Sequence, residues 1–286
     1  MPRTIQDEKT MFKIGKVNTL FFGKREYEFE NSLEYRQKFF TTDNIVIQVI
    51  GDSERPSCIL KNMEDYTKVF RILNTKQIGE NLYLYYDTIT GLEDGVYQII
   101  IGGYKSQVFE VTSNENILKT TALIKYTHKS NLSPFSNIFR IDGEPVVFEH
   151  RVECGFKSNG FQPKLEAEAY RDQFQEVHQT YSYPYLVETL TIGDACGVPN
   201  YYADWINDVL CLDYVEIDGQ QIRRNDAVVP TLNAVMEGKK AYNVTVDVEV
   251  INSDLEDIDG TVYRLLVDEN GHYITDENGS VLTAEL

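Results

Sequence analysis

The chain has 286 residues, enough for two domains of ordinary size, and a formal net charge of −18 from 27 Lys and Arg against 45 Asp and Glu. That balance excludes a surface built to hold nucleic-acid phosphates and one that adsorbs to anionic lipid, since both need clustered cations. With 19 Tyr and 14 Phe against 1 Trp and 4 Met, the composition leans toward strands.

Residues 1–19 are mixed in charge and lack periodicity, and read as an arm that is free or docks on a neighbour. Their stretch MPRTIQDEKTMFKIGKVN has no apolar core of signal-peptide length, and nothing later approaches a transmembrane run. Residues 20–115 read as an immunoglobulin-like β-sandwich of about seven short strands. Tyr27-Glu28-Phe29 alternates, and Phe39 and Phe40 lead into the nearly all-apolar run from Asn44 to Val49, which suits a central strand. Cys58 to Leu60 is another short candidate. Leu82 to Tyr86 alternates, with Leu82, Leu84 and Tyr86 on one face and Tyr83 and Tyr85 on the other. Leu92, Gly95 and Tyr97 have the spacing of a tyrosine corner, in which the phenol bonds back to upstream backbone, with Gly95 at the turn. Gln107 to Val111 closes the set.

Residues 116–251 read as a second β-rich domain with one amphipathic helix, 199–212. Ala122 to Tyr126, Ile138 to Ile141 with an Asp142-Gly143 turn, Val146 to Phe148 and Arg151 to Glu153 are strands. Lys164 to His178 favours helix locally but has a poor apolar stripe, so it reads as a loop or frayed helix. Tyr181, Tyr183 and Tyr185 then alternate, and Pro184 points to an edge strand. Val187 to Ile192 is a strand. Gly197-Val198-Pro199-Asn200 punctuates a helix start, after which Tyr201, Tyr202, Trp205, Ile206, Val209 and Leu210 recur at helical spacing. Pro199, Trp205, Ile206 and Val209 are core candidates with Tyr97. Tyr214 to Ile217 and Gln220 to Arg224 flank a tight Asp218-Gly219 turn. Tyr242 to Ile251 alternates cleanly, so Val244, Val246, Val248 and Val250 face one way.

Residues 252–286 read as an acidic linker followed by a hairpin-repeat tail. The repeated Asp-Glu-Asn-Gly, ending at Gly271 and Gly279, marks two hairpin turns, so Val262 to Leu286 reads as a three-stranded meander. Clustered carboxylates and amides there also suit calcium, but the spacing of a twelve-residue loop is missing and the turns explain both glycines.

The sequence has no nucleophile elbow, phosphate-binding glycine loop, HExxH or dinucleotide fingerprint, and we expect a non-enzyme with no cofactor. Cys58, Cys154, Cys196 and Cys211 lie far apart and read as buried free thiols; a zinc site from the last three with a histidine fits no familiar module. His128, His150, His178 and His272 sit singly, and Glu176 with His178 reads as a solvated pair before it reads as two ligands. Glu166 and Glu168 are the nearest approach to a hydrolase carboxylate pair and read as solvated. Tyr83 with Tyr85, and Tyr181, Tyr183 and Tyr185, form either packed strands or a sugar-stacking platform, packing being the simpler reading. Trp205 is a core anchor before it is a ligand contact.

Taken in order, several fragments resemble a known group. They are Phe39 to Gln48, Gly95-Val96-Tyr97, Ala122 to Thr127, Phe139-Arg140-Ile141, Tyr170 to Gln173, Ser182 to Tyr185, Thr189 to Asp194, Gly197 to Asn200 and Asp213 to Gly219. This string, with TLTIGD, GVPN and VEIDG as its most specific parts, resembles uncharacterised virion structural proteins of the tail or neck, encoded by phages and prophages of gut Bacteroidales. The likeness spans about Phe39 to Gly219, and the Asp-Glu-Asn-Gly repeats resemble the ends of such proteins. It implies a virion protein made in the bacterial cytoplasm, with no catalytic residues, whose copies form a ring or tube. Sister copies and neighbouring virion proteins are the implied partners, and a host-surface glycan is the alternative one.

Overall fold

The computed structural model describes residues 12–23, 35–52, 55–128, 141, 146–156, 162–226, 228–236 and 240–251, together with the backbone of 263–265 and 283–285. The chain is mainly β, with two helices among the described residues, and forms two compact units, residues 1–250 and 251–286. The expected strand at Tyr27 to Phe29, all of that at Ile138 to Ile141 but its last residue, the Gly143 turn and the Gly271 and Gly279 turns lie outside the described residues.

The first half of the larger unit contributes β1 (Lys13–Ile14), β2 (Phe22–Gly23), β3 (Gln37–Phe40), β4 (Ile45–Gly51), β5 (Cys58–Asn62), β6 (Lys68–Arg71), β7 (Asn74–Gly79), β8 (Leu82–Ile89), β9 (Gly95–Ile101), β10 (Tyr104–Ser106) and β11 (Phe109–Thr112). One antiparallel sheet has the order β1-β4-β8-β7. The other runs β2-β10-β9-β11-β3, with β5 on the free side of β9 and β6 beyond it. Only β3 and β11 pair in parallel there. Ile45, Ile47, Val49 and Tyr85 of the first sheet meet Phe39, Leu60, Ile99, Ile101 and Phe109 of the second in one core. Phe39 and Phe109 pack edge to face at 5.6 Å. The Tyr97 hydroxyl donates to the Glu93 carbonyl at 3.0 Å, the bond its spacing implied. Gly95 is not a turn residue but the first residue of β9, and a Cβ there would lie 3.3 Å from the Tyr97 ring.

β4 is buried on both faces, as its unbroken apolar run implies. Ile45, Ile47 and Val49 enter the core just described, while Val46 on the opposite face joins Val17 in a second core. Residues 12–20 make this possible, and for them the reading as an arm is corrected here; residues 1–11 lie outside the described residues. β1 pairs with β4, and Val17, Asn18, Thr19 and Leu20 are buried against their own chain. Asn18 acts as a length of strand: Oδ1 accepts from the Gln48 N–H at 2.8 Å and Nδ2 donates to the Gln48 carbonyl at 3.1 Å. Thr19 Oγ1 accepts from the Val46 N–H at 3.3 Å. Side chains thus satisfy an edge that no further described strand covers.

The second half adds α1 (Asn116–Thr120), β12 (Ala122–Thr127), β13 (Phe148–Val152), β14 (Cys154–Phe156), β15 (Gln162–Arg171), β16 (Val177–Ile192), α2 (Tyr201–Val209), β17 (Tyr214–Ile217), β18 (Gln220–Arg224), β19 (Thr231–Ala234) and β20 (Tyr242–Val250). An antiparallel sheet has the order β13-β12-β17-β18-β20-β16-β14, with β15 on β16 and β19 on β20. Val244, Val246, Val248 and Val250 all face inward, as their alternation demands. The apolar stripe of α2, Tyr202, Trp205, Ile206 and Val209, lies in the same core, with Tyr126 and Phe148 stacked at 5.7 Å. Pro199 is buried just before the helix. The Asp218 and Gly219 φ angles, 49° and 88°, make the two-residue turn between β17 and β18. Gly197, at φ 75°, lets Val198 exchange two 2.8 Å hydrogen bonds with Tyr242; a Cβ would sit 2.9 Å from the Tyr242 nitrogen.

Lys164 to His178 is not a loop or frayed helix. It forms most of β15 and the first residues of β16, joined by a turn at 172–176. Ten paired positions satisfy the backbone there, and this long-range pairing overrides the helical leaning of its Glu, Ala and Gln. In the smaller unit β21 (Tyr263–Leu265) pairs directly with β22 (Thr283–Glu285). First and last strands therefore adjoin, which is not the order of the expected meander.

Candidate assembly surface

β16 is sixteen residues long, and only its second half lies in the sheet. It meets β20 from Leu186 onward; before that its sole described neighbour is β15, which in turn pairs with no other described strand. At about 3.3 Å per residue the paired residues outside the sheet make a ribbon of roughly 30 Å. Nine of the ten side chains of β15, and the first eight of β16, are exposed.

The register sorts the ribbon into two faces. Tyr181 lies opposite Glu168, Tyr183 opposite Glu166 and Tyr185 opposite Lys164, so one face carries tyrosines and charges. The Tyr181 hydroxyl donates to Glu166 Oε1 at 3.0 Å, and this bond to a carboxylate raises the phenol's pKa above its usual value. Leu165, Pro184, Ala167 and Ser182 occupy the other face, and a bulge follows Glu168. Towards the tip Tyr170 stacks on His178 at 5.2 Å, and Phe174 stands 75 % exposed. Pro184 falls where β16 has an open side, in keeping with its missing N–H.

At the tip, ligand atoms of Asp172, Glu176 and His178 lie within 4.8 Å of one another. The turn itself accounts for that closeness. Asp172 Oδ1 accepts from the Phe174 and Glu176 N–H groups at 2.8 and 3.0 Å, and Oδ2 lies 3.2 Å from His178 Nε2. The His178 bond comes first among the causes that lower the Asp172 pKa.

A second exposed apolar strand lies in the other half of the larger unit. β6 pairs with β5 alone, so its outer edge has no partner among the described residues. Val69, Phe70 and Ile72 there are exposed, the last two by 74 % and 79 %. Neither β6 nor β7 announces itself in the sequence, because Lys68, Arg71, Asn74 and Lys76 mask any alternation.

The two cores meet through buried polar groups that the sequence does not single out. Arg151 of β13 forms a two-pronged pair with Asp43, before β4, at 2.6 and 2.8 Å. The Gln107 amide donates to Gln37 Oε1, Gln37 Nε2 donates to the Thr19 carbonyl at 3.3 Å, and Tyr201 donates to Gln107 Oε1 at 2.8 Å. His150 Nδ1 lies 3.0 Å from the same Thr19 carbonyl and 3.1 Å from Gln37 Nε2. Its ring packs on Trp205 at 4.1 Å, and full burial lowers its pKa to about 3. Trp205 is therefore a core anchor. One edge of it also lines a groove of about 370 Å³ with Phe21, Tyr104, Tyr201 and Asp208, bordered by a 3.7 Å Lys16–Asp208 ion pair.

The other candidate residues are not brought together. Tyr85 is buried, with its hydroxyl on the Asp52 carbonyl, so Tyr83 and Tyr85 make no sugar platform. Leu84 is buried too, on the face opposite Tyr85, so both faces of β8 are partly covered. All four cysteines are free, but Cys196 and Cys211 are exposed, which corrects their reading as buried. Burial raises the thiol pKa of Cys58 to about 11 and of Cys154 to about 12. Glu166 and Glu168 lie exposed on the ribbon. Among the described residues no helix is long and apolar enough to cross a membrane. No known protein-family model matches the chain, and no curated protein is significantly similar to it.

Proposed function

We propose that this chain is a structural protein of a bacteriophage particle, a tail or neck component made in the host cytoplasm and assembled in several copies into a ring or tube. The β15–β16 ribbon carries the reading. A two-stranded hairpin is marginal in water by itself, and this one leaves Leu165, Tyr170, Phe174 and Val177 exposed. Such a surface on a chain of net charge −18 is suited to burial against a neighbour, since the charge opposes non-specific clustering. Sister copies and adjoining virion proteins are the partners in this reading, and no catalytic step is assigned.

We read residues 20–115, with the strand at their start, as an immunoglobulin-like sandwich. The order β1-β4-β8-β7 is that of strands A-B-E-D, and β6-β5-β9-β11-β3 follows C′-C-F-G-A′, with the tyrosine corner on β9 in the place of strand F. Mass spectrometry of purified particles, with labelled antibody located by electron microscopy, tests the proposal. Recovery at a fixed copy number is expected. Particles free of the chain, from lysates that contain it, would refute it.

A second reading rests on Tyr181, Tyr183 and Tyr185, which share one ribbon face with Glu166 and Glu168, a stacking surface with hydrogen-bonding acids suited to a host-surface glycan. Glycan-array binding that disappears in Tyr181→Ala and Tyr183→Ala favours it. Unchanged binding, or none, removes it.

A further inference from the structure

We infer that the open edge of β6 takes up the ribbon of a second copy of this chain, through the outer edge of β15, in a head-to-tail contact. The inference deepens the reading of the chain as a multi-copy assembly protein and rests on it. Each side lacks what the other offers. Among the described residues β6 ends its sheet with unpaired backbone groups and the exposed Val69 and Phe70, followed by the exposed Ile72. Among the described residues β15 likewise has one paired edge and one open edge, with Leu165 and Tyr170 exposed. An added strand satisfies both backbones while its side chains cover apolar groups on either side.

Charge selects the partner. Residues 58–79 carry Lys61, Lys68, Arg71 and Lys76 against Glu64 and Asp65, and with Arg71 paired to Asp87 at 2.6 Å a net of +1 is left in a chain of −18. Residues 162–185 carry Glu166, Glu168, Asp172 and Glu176 against Lys164 and Arg171, a net of −2. The apolar edge with an excess of cations and the apolar ribbon with an excess of anions belong to the same molecule, so a sister copy presents the complement. β15 is preferred to β16 as the pairing edge because Pro184, which has no N–H to give, stands within the ribbon on β16, whereas Pro163 of β15 lies at its foot opposite Leu186, and because Glu166 and Glu168 stand on β15. Two different patches in contact form a heterologous interface, which closes into a ring or continues as a tube.

Sedimentation of the purified full chain tests this with one variant per side, Phe70→Asp for the edge and Leu165→Asp for the ribbon. Both positions are exposed, and unchanged melting verifies the fold of each variant. The expected result is salt-sensitive self-association that either variant weakens roughly ten- to a hundred-fold, the scale of one large apolar side chain leaving an interface. Each variant keeps one working surface, so a mixture of the two is expected to give 1:1 pairs and nothing larger. Lys68→Glu should weaken association, and Glu166→Lys with Glu168→Lys on the partner should restore it. Undiminished association of both variants overturns the contact, and so does a mixture in which neither variant binds the other. A wild-type chain that stays monomeric at millimolar concentration, yet is recovered from particles, overturns this contact alone. A chain that associates through it and never enters particles overturns the virion reading alone.

Discussion

Removing one partner of the Asp43–Arg151 pair should cost the larger unit far more than a surface ion pair would. The two side chains are 3 % and 7 % exposed, and the guanidinium meets the carboxylate through Nε at 2.6 Å and Nη2 at 2.8 Å. In Asp43→Ala the guanidinium stays buried, with a 3.4 Å contact to Thr121 Oγ1 as its remaining hydrogen bond among the described residues. The Phe40 N–H also loses its acceptor at 2.8 Å. An unpaired buried charge costs about 3–5 kcal/mol. For a unit of this size, that lowers the melting temperature by roughly 6–20 °C. Arg151→Met should cost a similar amount, by stranding the carboxylate. The double variant Asp43→Leu/Arg151→Met should recover most of the loss, because an apolar pair of similar volume replaces a desolvated ionic one at little net cost. Urea unfolding followed by circular dichroism and by the fluorescence of Trp205, the chain's 1 tryptophan, measures all three. Single variants that lose less than about 1 kcal/mol, the range of exposed pairs, would refute the argument. A double variant no better than the singles would refute its second half.

Four further outcomes follow from named contacts. Burial holds the folded-state His150 pKa at about 3, below its ordinary value near 6.5, so the unfolded chain takes up that proton first as pH falls. The stability that the neutral ring contributes is complete above pH ~6.5 and lost towards pH ~3, at up to roughly 1.4 kcal/mol per unit; His150→Phe should flatten that slope in unfolding titrations. Tyr97→Phe deletes the 3.0 Å bond to Glu93 and should cost about 0.5–1.5 kcal/mol by urea unfolding. Gly197→Ala should cost clearly more than Gly219→Ala, since both have positive φ but only Gly197 would bring a Cβ within 2.9 Å of backbone; the Gly219 change should cost about 1–2 kcal/mol, and equal losses would dismiss the clash. Deleting residues 251–286, a separate compact unit, should leave the melting of 1–250 unchanged.

What was legible in the sequence was local. The valine alternation of β20, the stripe of α2, the Asp218-Gly219 turn and the Tyr97 bond each depend on spacing within one element, and each is found where it was expected. What stayed hidden depends on residues far apart in the chain. Gln37, Gln107 and His150 are polar, and nothing in their local sequence marks them as core, yet they are buried because each completes another's hydrogen bonds. β15 resembles helix because Glu and Ala favour it, and only pairing with Tyr181 to Tyr185 decides otherwise. Residues 12–20 have no pattern of their own because their role is to fit the edge of β4. Most of the candidate surface lay in these unreadable parts; only the tyrosine alternation and Pro184 signalled any of it.

The double duty of β4 also bears on how the molecule is made. A ribosome delivers Val17 and Val46 early, but the helix and strands that shelter them are translated much later. Until α2 emerges, the nascent first sandwich presents a greasy outer wall, and a chaperone or prompt completion of synthesis must guard it. Dividing the gene between the halves would make that passing exposure permanent.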